Sequence, residues 1–309
     1  MLQRILPFLT LIALAAALAL ATPHFLTGMN LASLFRQTAV INIMALGVTL
    51  VIVAGGIDLS VGSMMALASL LGCMAMERGS GIAVGILAGV AAGAAFGLAN
   101  GVIITRMKLN PFIVTLGALG IYRGLALMIS GGVPVHGLPK EFSYLGEGAV
   151  AGVPFVLILL AACGCAVHFL LVRTRMGRYA FAIGSNPGAA FYAGIPVAFH
   201  TTAVYALCGL MTGLAGMVES SRLMTAQPTS GQGYELQAIA AVVIGGGSLR
   251  GGEGSAAGTL VGAMIMGLLS NGSDLLGISP YLQQAIIGAV IILAVFLDEL
   301  RKRRMGEAR

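Results

Sequence analysis

LVIVAGGIDLSVGS, which forms residues Leu50–Ser63, is a hydrophobic run that is interrupted at two places. Paired glycines come first, at Gly55-Gly56, and the carboxylate of Asp58 follows before apolar sequence resumes through Met64–Met76. A carboxylate at membrane depth costs about 2.5–3.5 kcal/mol on insertion scales, so it is rare unless it faces protein or water. Broken backbone at that depth is tolerated only where it is buried or lines a cavity. The stretch therefore predicts a membrane protein with a polar interior.

The composition of the whole chain indicates the same class of protein. Hydrophobic residues make up 58% of the 309 and charged residues only 9%, whereas a soluble domain carries about 25% charged residues. The apolar runs are long and lack the alternation of membrane β-strands. We therefore expect an all-α, polytopic membrane protein with one transmembrane domain over residues 1–309. The net charge of +6 lies in short loops and in a basic tail at residues 298–309, so it indicates membrane orientation rather than a nucleic-acid partner.

About ten segments are candidates for membrane crossing, since a helix needs about 20 residues to span the bilayer. The candidate spans are Ile5–Ala21, Thr38–Ala54, Ser60–Met76, Gly81–Ile104, Pro111–Ser130, Val153–Val172, Pro196–Val218, Leu236–Gly246, Ala256–Leu269 and Tyr281–Leu297. Leu236–Gly246 is too short to cross alone, which predicts a broken or re-entrant helix. Met1–Ala21 also resembles a signal peptide, but the many later spans favour a retained first helix.

The positions of the basic residues predict the orientation in the membrane. Alternate connections carry Arg4, then Arg106 and Lys108, then the arginines of segment 173–195, and finally the basic tail. Cytoplasmic loops are enriched in Lys and Arg, so both termini and segment 173–195 are expected in the cytoplasm.

A second glycine-rich segment later in the chain weakly resembles this first break. Residues 53–63 read VAGGIDLSVGS and residues 243–255 read VIGGGSLRGGEGS. Interrupted segments at corresponding places indicate a transport pathway, although glycine-rich breaks also resemble one another by chance. The residues that we expect to line or shape the pathway are Gly55, Gly56, Asp58, Ser60, Gly245, Gly246 and Ser248.

Two charged side chains within apolar spans need partners. Asp58 either lines the pathway or caps the helix that begins near Ser60, and capping is favoured as its immediate role. Arg123 lies inside Pro111–Ser130 and its guanidinium stays charged, so it must pair or reach the membrane surface. Asp58 and Glu235 are both candidate counter-ions, and a structural ion pair is favoured over contact with a substrate.

Segment Arg173–Ile195 reads RTRMGRYAFAIGSNPGAAFYAGI and alternates basic with apolar residues. This pattern predicts an amphipathic cytoplasmic helix that ends at the break Asn186-Pro187-Gly188. From the pattern, a docking face for a partner and a membrane-surface helix held by anionic headgroups remain open.

Sequence motifs for catalysis are absent from the chain. It contains no G-x-x-x-x-G-K-[ST] phosphate loop, no H-E-x-x-H and no G-x-S-x-G. The four cysteines, Cys73, Cys163, Cys165 and Cys208, lie in apolar segments, where helix packing is favoured over a metal or redox site. We therefore expect neither an enzyme nor a bound cofactor or metal.

Five motifs together resemble ATP-binding-cassette permeases of the ribose type. They are GGIDLSVGS at Gly55–Ser63, RMGRYAFAIGSN at Arg175–Asn186, ELQAIAAVVIGG at Glu235–Gly246, GGEGSAAGT at Gly251–Thr259, and Asn271-Gly272. The resemblance runs nearly end to end and keeps the order of the motifs. Gly247 stands where the family commonly has Thr, Gln237 stands where Asp is frequent, and Ser273-Asp274 follows the last motif, which leaves the exact sugar open.

The resemblance implies the membrane-spanning subunit of a bacterial inner-membrane importer for a monosaccharide. Its partners would be a second permease chain, a separate cytoplasmic ATPase, a periplasmic sugar-binding protein and membrane lipid. Segment 173–195 would then be the cytoplasmic coupling loop, with Arg175, Gly177, Arg178 and Asn186 at the ATPase. One alternative is a permease for another small polar solute, such as an autoinducer or nucleoside. Another is an ATP-independent secondary transporter, which would need a proton or sodium relay, and Asp58 with Arg123 is a small set of groups for one.

Overall fold

Long helices form most of the structure. A computed structural model describes the backbone of residues 2–306, without the side chains of residues 2–5, 294 and 297–306. The helices are α1 (Leu2–Ala21), α2 (Gly28–Val53), α3 (Val61–Glu77), α4 (Ile82–Met107), α5 (Pro111–Ser130), α6 (Tyr144–Glu147), α7 (Phe155–Arg173), α8 (Arg175–Ser185), α9 (Pro187–Tyr192), α10 (Val197–Leu223), α11 (Tyr234–Ile244), α12 (Ala256–Leu275) and α13 (Pro280–Gly306).

Within the described residues, six helices are long and apolar enough to cross a membrane, namely α2, α4, α5, α7, α10 and α12. Four shorter apolar stretches are Leu6–Ala21, Val61–Glu77, Tyr234–Ile244 and Pro280–Leu293. The total of ten crossings therefore stays a prediction, as does the cytoplasmic placement of the termini. The predicted basic tail continues α13 as backbone to residue 306, and residues 307–309 lie outside the described part.

Helix α2 is the central helix. Every residue from Thr38 to Val53 is buried, and α2 contacts α7, α10, α11 and α12. From Thr38 onward this helix has no exposed face, and most of its residues there are apolar on every side. The helices α4, α5 and α7, by contrast, are mostly exposed along their apolar spans, as expected for surfaces that meet lipid.

A stripe of glycines brings α4 and α10 together. Gly85, Gly89, Gly93, Gly97 and Gly101 recur every four residues on one face of α4. A side-chain carbon at Gly97 would collide with the Tyr205 carbonyl of α10. Small residues allow this close backbone approach in membranes, where lipid offers no hydrophobic drive for helix association.

The segment between α5 and α7 departs from a purely helical fold. It contains a 3-10 helix at Lys140–Ser143, α6, and an antiparallel hairpin of β1 (Ala149–Val150) and β2 (Val153–Pro154). The turn forms at Ala151-Gly152, where both residues have positive φ. An ion pair of 2.6 Å joins Glu147 to Arg36 of α2. The all-α prediction is correct for the helical body and wrong for this short hairpin.

Candidate functional site

The first glycine break follows the end of α2. Gly55 has a φ of +79°, a conformation that is strained for a residue with a side chain. At this residue the chain turns out of the helix. Gly56 is held close to Tyr205 of α10, whose hydroxyl would lie 2.6 Å from any side-chain carbon there. The same hydroxyl donates a 3.0 Å hydrogen bond to the Ile57 carbonyl. The break is thus a defined piece of backbone that α10 supports, buried at Gly56 and exposed at Gly55.

Asp58 caps the start of α3 from within the break. Its Oδ1 accepts hydrogen bonds from the Ser60 N–H at 2.9 Å and the Ser60 hydroxyl at 2.6 Å. Ser60 occupies the N-cap position, but its hydroxyl makes no capping bond to the helix backbone. Asp58 therefore has the local role that the sequence predicts. Its Oδ2 is buried without a hydrogen bond of ordinary geometry.

A polar chain extends from Asp58 through three helices. The Asn100 amide of α4 donates to the Ser60 hydroxyl at 2.9 Å, and Asn100 Oδ1 lies 2.9 Å from the Tyr122 hydroxyl of α5. Asp58, Ser60 and Asn100 are all 0% exposed. Linked hydrogen bonds of this kind specify one packing arrangement. The sequence did not lead us to Asn100, although a single amide side chain within an apolar run can indicate a buried polar contact.

The second break lies between α11 and α12. Gly245 packs against the Gly258 backbone of α12 closely enough that a side-chain carbon would collide there. Gly246 turns the chain at a φ of +89°. Ser248 is 1% exposed and its hydroxyl accepts from the Arg250 N–H at 3.2 Å, which closes a tight turn. Ser255 then caps α12 through a 3.1 Å bond from Gly258 N–H.

The two breaks meet each other and the end of α8. The Gly252 N–H donates a 2.9 Å hydrogen bond to the Val53 carbonyl, the last residue of α2. Gly184 of α8 fits against both groups: a side-chain carbon there would collide with the Val53 oxygen and lie 2.6 Å from the Gly252 nitrogen. We call Val53–Gly56, Gly184 and Gly251-Gly252 the glycine junction.

Segment 173–195 contains the amphipathic helix expected from its sequence. In α8, Gly177, Ala180 and Ile183 are buried, whereas Arg175 and Arg178 are exposed. Thr174 caps α8 by accepting from the Gly177 N–H at 3.3 Å. Asn186 separates the two short helices and caps α9 by accepting from the Ala189 N–H at 2.9 Å. The arginines therefore point away from the glycine junction, on the opposite face of α8.

The starts of α3 and α11 also meet. A side-chain carbon at Gly62 would collide with the Gly231 carbonyl and the Glu235 Oε2. Arg123 Nη1 donates to the Pro228 carbonyl at 2.5 Å. The direct partner of Arg123 is thus a carbonyl in the segment before α11, and an ion pair with Glu235 stays a prediction.

Comparison with known proteins gives the class of this chain. A family model described as a branched-chain amino acid transport system permease component matches residues 30–295. The chain belongs to this family of transport permeases. Given its six apolar helices, it is a multi-pass protein of the inner membrane.

Individual relatives match over nearly the whole length. The ribose import permease protein of Bacillus subtilis (strain 168) is 44% identical over 298 residues, which cover 96% of this chain and 92% of the relative. The ribose import permease protein of Escherichia coli (strain K12) is 42% identical, with 95% and 93% covered. The D-allose transport system permease protein of Escherichia coli (strain K12) is 37% identical, with 95% and 90% covered. No solved structure matches the chain.

Proposed function

We propose that this chain forms the translocation path of an ATP-binding-cassette importer for a monosaccharide. The family description names branched-chain amino acids, but relatives at 36–44% identity are named for ribose, D-allose and L-arabinose. Their identity extends over more than nine-tenths of this chain, which favours a sugar. The sequence departures at Gly247 and Gln237 leave the choice among sugars open.

The proposed assembly has two permease chains, a separate cytoplasmic ATPase and a periplasmic sugar-binding protein. In this arrangement the chain has about ten transmembrane helices, some of them broken or re-entrant, with both termini and α8 in the cytoplasm. Helices α3 and α11 are shorter than the six long apolar helices. Discontinuous helices of this kind line substrate pathways in other transporters.

The glycine junction supports a specific route for coupling. The exposed arginines of α8 would contact the ATPase, while Gly184 on the other side of α8 touches both breaks. Because the contacts at Gly184 are backbone contacts without flexible side chains, a shift of α8 would move the end of α2 and the start of α12 together. ATP-driven closure would thereby change access to the path.

The polar groups near the breaks would shape the path rather than bind sugar tightly. Asp58, Ser60 and Ser248 are buried and already hydrogen-bonded. Gly55, Gly56, Gly245 and Gly246 supply backbone that can approach the path closely. Weak contacts suit a permease, because conduction requires release and the binding protein supplies selectivity.

Reconstitution tests the proposal. The chain is placed in proteoliposomes with its ATPase and binding protein, and ATP hydrolysis is measured with ribose, allose, arabinose and leucine. We expect stimulation by one or more sugars and none by leucine. Stimulation by leucine alone would contradict the sugar assignment, and uptake that persists without the ATPase but collapses with a proton uncoupler would contradict the transporter class.

A further inference from the structure

A groove of about 820 Å³ runs between the end of α4 and the start of α10. Its walls are mainly apolar and include Val102, Ile195, Val197 and Phe199. Phe199 is 67% exposed and Val102 is 42% exposed. The groove is separate from the glycine junction and from the polar chain at Asp58.

Three threonines line the groove, and of their hydroxyls only that of Thr201 makes no hydrogen bond within the described residues. Thr105 and Thr202 line it, but their hydroxyls lie 3.0 Å apart and both bond the Gly101 carbonyl, at 2.8 and 3.2 Å. The hydroxyls of Thr105 and Thr202 are therefore engaged with one another and with the backbone, so Thr201 carries the one uncommitted hydroxyl among the described residues of a mainly apolar lining. A surface of this kind suits hydrocarbon better than a polar solute.

Two cations border the same groove. Arg106 and Lys108 line it, and both are exposed. Neither side chain has a hydrogen bond or ion pair within the described residues. Arg106 lies in the last turn of α4 and Lys108 is its left-handed C-cap, so both sit where the helix leaves the membrane.

We propose that this groove binds an anionic phospholipid of the cytoplasmic leaflet. Arg106 and Lys108 would hold the phosphate, the former through paired N–H donors and the latter as a point charge. An acyl chain would cover the apolar wall from Val102 to Phe199. The proposal rests on the proposed function only for the orientation, which puts the end of α4 on the cytoplasmic side.

The observations favour lipid over the ATPase as the occupant. Most of the wall belongs to the ends of two membrane-crossing helices, and its apolar depth would otherwise face bilayer lipid. Phe191 and Ile195 of segment 173–195 also reach the groove, but the exposed arginines Arg175 and Arg178, which we assign to the ATPase, do not line it. A basic pocket between transmembrane helices on the cytoplasmic side is also a recurrent arrangement for anionic lipid headgroups.

Lipid retention tests the site. The full chain is incubated in detergent with phosphatidylglycerol or phosphatidylcholine, and bound lipid is counted by native mass spectrometry. Arg106→Gln with Lys108→Gln should lower phosphatidylglycerol retention about tenfold, since each cation contributes to headgroup attraction, and should leave phosphatidylcholine unchanged. The matched control Lys140→Gln removes an exposed cation from the 3-10 helix before α6 and should change neither.

A second variant tests the apolar wall without touching charge. Ala198→Trp fills the groove from an exposed position and should also displace phosphatidylglycerol. Equal retention of the two lipids, or unchanged retention in the double variant, would overturn the proposal. So would weaker binding of the ATPase with unchanged lipid retention, which would assign the groove to protein docking.

Discussion

The Gly252 N–H donates a 2.9 Å hydrogen bond to the Val53 carbonyl, and these two residues are almost 200 positions apart in the chain. The bond ties the end of α2 to the break before α12. Since Gly184 of α8 packs against both atoms of this bond, a single helix is in direct contact with both breaks. The predictions below follow from this contact and from the polar chain at Asp58.

Gly184→Ala should uncouple ATP hydrolysis from uptake. The added methyl collides with the Val53 oxygen and comes within 2.6 Å of the Gly252 nitrogen, so it must separate α8 from the junction. We expect uptake to fall about tenfold, the scale of a coupling free energy between two sites. Uptake and ATP hydrolysis are measured in the same proteoliposomes, with thermal melting as a check on folding.

Gly188→Ala is the matched control for that substitution. Gly188 is exposed in α9, and the nearest atom to an added methyl is Asn186 Oδ1 at 3.4 Å. This variant should transport normally. Normal uptake in Gly184→Ala as well would show that the tight contact has no part in coupling.

Arg178→Glu should weaken binding of the ATPase without loss of folded protein. Arg178 is exposed on α8, so reversal of its charge removes a contact with the partner but no internal packing. Co-purification of the ATPase and uptake should both decrease. Lys140→Glu, the same charge reversal at an exposed site elsewhere, serves as the control, and an equal effect of both variants would argue against docking at α8.

Asp58→Asn should impair uptake more than expression. Asparagine keeps an oxygen for the Ser60 N–H, so the start of α3 stays capped, but it introduces an amide donor where Oδ2 lies buried without a partner. Folded yield, melting temperature and uptake are compared with those of Asp274→Asn, which changes an exposed carboxylate. If uptake falls only in proportion to the yield of folded protein, Asp58 is a structural cap and nothing more.

Tyr122→Phe should destabilise the fold by about 0.5–1.5 kcal/mol, the net contribution of a typical hydrogen bond. The change removes the hydroxyl that lies 2.9 Å from Asn100 Oδ1 and leaves the ring in place. Thermal melting should register the loss. Tyr281→Phe, at an exposed tyrosine, should leave the melting temperature unchanged, and an unchanged temperature in both variants would show that the polar chain adds no stability.

Several features of the site could be read from the chain because they depend on local rules. The capping role of Asp58 follows from a carboxylate just before a helix start. The amphipathic helix α8 follows from apolar residues at helical spacing among arginines. The two breaks follow from paired glycines within apolar runs, and the structure has helix ends at both places.

Other features depend on contacts between distant residues that carry no local signal. Gly184 looks like an ordinary helical glycine, and only the folded chain shows that the Val53 oxygen occupies the place of a side chain. Arg123 illustrates the same limit: two carboxylates were plausible partners, yet its hydrogen bond goes to the Pro228 carbonyl. Backbone carbonyls are present at every residue, so a sequence cannot distinguish the one that becomes a partner.

Hydropathy alone was enough to specify a helical membrane protein, because lipid leaves no partner for backbone groups outside helices or closed barrels. It also located the interruptions, since a carboxylate and paired glycines are costly in such runs. Which interruptions meet, and which helix joins them, depended on the packing of α2, α8 and α12 around one another. These backbone segments can touch only where glycines leave out the side chains. Which glycine meets which segment is decided only when the chain folds.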